Sequence, residues 1–90
     1  MYISEWTIEE DGSYYQATVS LKENLTPSLK VRIIPLVTEK EYSTVIRDYN
    51  SDLLLFNMVL NTERENDDEH TDLDIAKKAV KSMVGMYLTD

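Results

Sequence analysis

Residues 2–21 read YISEWTIEEDGSYYQATVSL. Before Asp11-Gly12, Tyr2, Trp6 and Ile8 alternate with Ile3, Glu5, Thr7 and Glu9. After it, Tyr15, Ala17, Val19 and Leu21 alternate with Gln16, Thr18 and Ser20. Both halves show the period of two expected of half-buried strands. Asp-Gly tolerates the positive φ of a two-residue type I′ turn. With that turn, Glu10 faces Ser13, Ile8 faces Tyr15, Trp6 faces Ala17, Ser4 faces Val19 and Tyr2 faces Leu21. Apolar positions then meet apolar positions, with Tyr2, Trp6 and Tyr15 in the core. A slip of one residue would set Trp6 against Gln16 or Thr18 and mix the two faces.

Working outward, residues 22–28 carry loop chemistry around Pro27. Leu29, Val31 and Ile33 alternate with Lys30 and Arg32 as a third strand. Pro35 lacks an N–H, which puts this strand at a sheet edge or ends it there. Residues 38–50 support two readings. Thr38 and Glu41 fit a capping box, and Tyr42, Val45, Ile46 and Tyr49 fit one face of a short helix at 39–49. The β-branched run Thr44-Val45-Ile46 disfavours that helix, and Tyr42, Thr44 and Ile46 equally line one face of a strand. The run from Leu53 to Leu60 reads as a buried strand.

The last element is a helix. Thr71 is placed to cap it, and Asp72 and Asp74 suit the positive end of its dipole. Leu73, Ala76, Val80, Met83, Val84 and Tyr87 keep helical spacing, while Lys77, Lys78 and Lys81 fall off that stripe. Asp74 and Lys78 stand at i, i+4 with the acid on the favourable side. The expected fold class is α+β. A small antiparallel sheet, made of the N-terminal β-hairpin plus further strands, is packed by a C-terminal amphipathic helix. Residues 1–90 form a single domain with an acidic loop at 61–71.

Composition restricts function. The 90 residues include 17 acidic and 9 basic side chains, for a net charge of −8, with 2 Gly, 1 His and no Cys. Without Cys there is no disulfide scaffold, thiolate zinc site or cysteine nucleophile. The negative charge opposes direct binding to nucleic acid or to an anionic membrane surface. Neither glycine lies in a phosphate-cradling loop, and one His offers no promising triad. The expectation is a protein that is not an enzyme and uses no cofactor. The N-terminus lacks the basic and apolar regions of a secretory signal, so a cytoplasmic, soluble chain is expected. Asp68, His70, Asp72 and Asp74 alternate, but they match no EF-hand loop, and no metal site is expected.

The charge is unevenly distributed. Residues 63–74 hold seven acidic side chains against Arg64, a net −6. Such a run reads either as a solvated linker that keeps the chain soluble or as an electronegative docking surface. Extended chain advances about 3.3 Å per residue, so Asp67-Asp68-Glu69 would space charges much as phosphates are spaced along a DNA strand. The leading expectation is therefore a small acidic inhibitor of a basic nucleic-acid-handling protein, such as a nuclease, whose phosphate-binding surface it occupies. Nuclease immunity proteins, phage DNA mimics and anti-CRISPR proteins share this size and charge, although no motif places the chain among them. Expected contacts are Glu63, Glu65, Asp67, Asp68 and Glu69, with Glu9, Glu10, Asp11 and Tyr14 as a second patch on the polar hairpin face. The alternative is a structural or adaptor module that self-associates through a sheet edge or helix, forming a homodimer.

Overall fold

The computed structural model describes residues 1–9, 12–36, 40–61 and 72–86. Its described part is an antiparallel sheet covered on one face by a helix. The strands are β1 (Tyr2–Ile3), β2 (Thr7–Glu9), β3 (Tyr14–Ser20), β4 (Leu29–Pro35), β5 (Glu41–Asp48) and β6 (Leu54–Asn61), followed by helix α1 (Asp72–Val84). They lie in the order β1-β3-β4-β5-β6, with β2 also paired to β3. The α+β class read from the sequence is thus the observed one.

The hairpin keeps its expected register near the turn, with Ile8 opposite Tyr15 and Glu9 opposite Tyr14. Gly12 takes φ 92°, the positive value the turn needs. Glu10 and Asp11 lie outside the described residues. Farther from the turn the register departs from expectation. Tyr2 pairs with Ser20 and Ile3 with Val19, where Leu21 and Ser4 were the expected partners. Two residues, Glu5 and Trp6, occupy the space opposite Ala17, as in a β-bulge. Ser4 makes this possible. Its N–H donates to the Thr18 carbonyl and its hydroxyl accepts from the Thr18 N–H, both at 2.9 Å. The extra residue turns Ile3 and Trp6 toward the core and leaves Tyr2 38% exposed, contrary to its expected burial.

The expected third strand is β4, but it lies inside the sheet between β3 and β5. Pro35 ends it opposite Tyr42 and does not mark an edge. Residues 41–48 are strand, not helix, which corrects the helical reading of 39–49. Non-local pairing to both β4 and β6 settles what local periodicity left open. Thr38 and Glu39, part of the proposed capping box, lie outside the described residues. The run expected at 53–60 forms a strand over Leu54–Asn61, but at the sheet border among the described residues, and most of it is exposed rather than buried. A register shift between Ile46 and Arg47 leaves Leu55 as the extra residue of a bulge.

Val19, Leu29, Val31, Ile33 and Ile46 on the sheet, with Ala76, Val80 and Val84 on α1, form the buried core. These strand positions share one face, and the helix crosses it over β4 and β5. The apolar stripe read for the helix is therefore its packed face. Thr71 and Tyr87 lie outside the described residues. Thr44 is a fully buried polar residue, and its hydroxyl donates to the Met58 carbonyl at 2.8 Å, which tethers β6 to β5.

The β5–β6 turn is organised by two carboxylates. Asp48 accepts from the Ser51 N–H at 2.9 Å, the Ser51 hydroxyl at 3.0 Å and the Asn50 N–H at 3.1 Å. These bonds, led by the Ser51 N–H, hold its carboxyl below the ordinary aspartate value. Asp52, at φ 61°, sits 3.1 Å from the Lys30 ammonium, and that hydrogen-bonded cation lowers its carboxyl too. A lowered folded pKa contributes stability that is present above the unfolded value of about 3.9 and is lost as pH falls through the folded value. Urea unfolding midpoints of D48N/D52N are expected to fall less than those of the unaltered protein between about pH 4 and pH 2. Parallel decline of the two would contradict the assignment.

Candidate functional site

The two borders of the sheet differ. On one side β1 and β2 are two and three residues long and are separated by the bulge at Glu5 and Trp6. Short, interrupted border strands offer little backbone for another chain to pair with. On the other side β6 is eight residues long, and it pairs only with β5 among the described residues. From Leu53 to Thr62 the sequence has no charged residue. Leu54 is 47% exposed, Met58 38% and Val59 54%. Met58 shares the face of Thr44, whereas Val59 shares that of Ser43 and Leu54 that of Arg47. Apolar side chains therefore emerge on both faces of this strand. Long, apolar border strands without charges favour strand addition.

The five acidic residues expected to contact a partner, Glu63, Glu65, Asp67, Asp68 and Glu69, lie outside the described residues. The chain connects them directly to the C-terminal end of β6. In the second expected patch, Glu9 and Tyr14 do stand opposite each other. Glu9 Oε1 accepts from the Thr7 hydroxyl at 2.9 Å.

That face also carries cations the sequence reading did not place there. Arg32 lies 4.9 Å above the Tyr14 ring and its Nε donates to Gln16 Oε1 at 2.9 Å. Lys30 and Arg47 face each other across β4 and β5, and Arg47 donates to the Asp52 carbonyl at 3.0 Å. Alternation placed Lys30 and Arg32 together on the polar face of their own strand. Their meeting with Tyr14 and Arg47 depends on strand order, which no local pattern encodes. The hairpin patch is therefore mixed in charge, and only the segment after β6 is strongly acidic.

No cluster of metal-ligating side chains occurs among the described residues. No described helix is long and apolar enough to cross a membrane. No protein-family model matches the chain, and no curated protein or solved structure matches it.

Proposed function

We propose that this protein is a non-enzymatic acidic inhibitor that occupies the phosphate-binding surface of a basic nucleic-acid-handling protein. The carrying observation is that an uncharged, exposed apolar strand at the sheet border runs directly into a segment of net charge −6. The two features act at different ranges. Carboxylates raise the encounter rate with a Lys/Arg-rich groove over about a Debye length, and strand pairing with apolar contact holds the complex once formed. The partner's chemistry follows from this division. It must present cations to residues 63–69 and a strand or apolar ledge to β6.

Association kinetics test this reading. Conversion of Asp67, Asp68 and Glu69 to their amides is expected to slow docking on the basic partner recovered from the native host by about tenfold at low salt. The difference should vanish near 1 M salt, where the Debye length is about 3 Å. DNA added in excess should compete with the protein for that partner. Unchanged association rates in the amide variant, or simultaneous binding of DNA and protein, would overturn the proposal.

The exposed β6 strand also favours a second reading, in which two copies pair along β6 about a twofold axis. Sedimentation separates the two. Self-pairing gives a dimer whose population rises with concentration and persists at high salt, whereas the inhibitor reading requires a monomer that binds its partner more weakly as salt rises.

A further inference from the structure

The bulge at Glu5 and Trp6 also shapes its own border of the sheet, the one opposite β6. It turns Trp6 toward α1, and a cleft of about 440 Å³ opens between the helix and the N-terminal strand. Tyr2, Ile3 and Trp6 form one wall, and Lys77, Lys78 and Lys81 form the other. The volume falls within the roughly 300–1,000 Å³ of small-molecule sites. Among the described residues its lining holds three of the chain's nine basic side chains and no acidic one. Among the described residues no carboxylate forms an ion pair with any of the three lysines. The Lys77 ammonium lies 5.8 Å from the Trp6 ring centroid, so cation and indole meet where the two walls join.

We infer that this cleft binds a nucleoside monophosphate. A flat base stacks on the half-buried Trp6 indole beside Tyr2, and the phosphate takes charge-assisted hydrogen bonds from Lys78 and Lys81. The ring accounts for the aromatic wall and the anion for the lysines, and a ligand with both uses both. The protein's net charge of −8 repels a polyanion, which favours a single nucleotide over a nucleic-acid strand. This inference is independent of the docking role of β6.

Trp6 is the only tryptophan, so its fluorescence reports on the cleft directly. AMP, GMP, CMP and UMP are to be titrated into the full chain, with adenosine and inorganic phosphate as half-ligands and calorimetry as an independent readout. At least one nucleotide is expected to change the emission saturably, and adenosine or phosphate alone to bind at least tenfold more weakly. K78Q/K81Q substitutes exposed helix positions and leaves the Trp6 wall intact. It should weaken nucleotide binding by about tenfold without altering adenosine binding or the circular dichroism. Three results would overturn the inference: no saturable response to any of the four nucleotides, equal nucleotide affinity in K78Q/K81Q, or tighter binding of a single-stranded oligonucleotide than of the mononucleotides.

Discussion

Val59→Glu is expected to weaken binding to the basic partner by about thirtyfold or more, equivalent to roughly 2 kcal/mol. Val59 is 54% exposed on β6 and shares a face with Ser43. A charge at this point of a border strand must be desolvated when another strand adds alongside, which is how natural sheets block such pairing. The sign of the substituted charge makes the test sharp. If electrostatic attraction to a cationic partner were the whole interaction, an added carboxylate would strengthen it. Loss of affinity therefore isolates the short-range role of the strand. The effect on folding should stay within about 1 kcal/mol, the span of strand propensity at exposed positions. Equilibrium binding and urea denaturation of the same variant separate the two contributions. Unchanged or improved affinity would remove β6 from the interface.

The second large effect is on stability. Ile46→Ala is expected to cost about 3–4 kcal/mol, within the range measured for buried large-to-small changes. Ile46 is fully buried in β5, opposite Val31 on one side and Phe56 on the other, beneath the helix. Its truncation leaves a void where three strands and α1 meet. A domain of this size holds on the order of 5–15 kcal/mol in total, so the variant retains little reserve. At roughly 4–8 °C per kcal/mol, Tm should fall by about 15–25 °C, while Ile46→Val should cost only about 1 kcal/mol. A fall of under about 5 °C for Ile46→Ala would mean that the helix does not pack on the sheet at this position.

The features legible in the sequence were those fixed by neighbouring residues. Asp11-Gly12 and the alternation on either side of it correctly paired Ile8 with Tyr15, because a tight turn determines the register next to it. The stripe containing Ala76, Val80 and Val84 gave the buried side of α1 for the same local reason. Features set by strand order were hidden. Tyr42, Val45, Ile46 and Tyr49 fit a helical period as well as Tyr42, Thr44 and Ile46 fit that of a strand, and pairing with β4 and β6 decides between them. Likewise, an apolar run such as 53–60 suits a strand buried on both faces, and only its place after β5 makes it a border strand. The bulge did leave a sign in the sequence. Tyr2 and Ile3 are adjacent apolar residues, so the alternation breaks before Trp6, at the point where Ser4 fills a backbone role with its hydroxyl.

The candidate site divides along the same line. The acidity of residues 63–69 is a property of composition and needed no structure. Its direct continuation from an exposed apolar strand became apparent only once β6 was placed at the border of the sheet. In the sequence the lysines at 77, 78 and 81 only fall off the apolar stripe of the helix. They become one wall of a cleft because the bulge directs Trp6 toward them.

Backbone amide exchange across residues 54–61, with and without the basic partner, bears most directly on the proposed docking surface. Strand addition predicts that amides of β6 slow by at least about tenfold in the complex, while those of β1 and β2 keep their rates. A stable complex in which β6 exchanges at its free rate, with protection appearing elsewhere, would contradict the account.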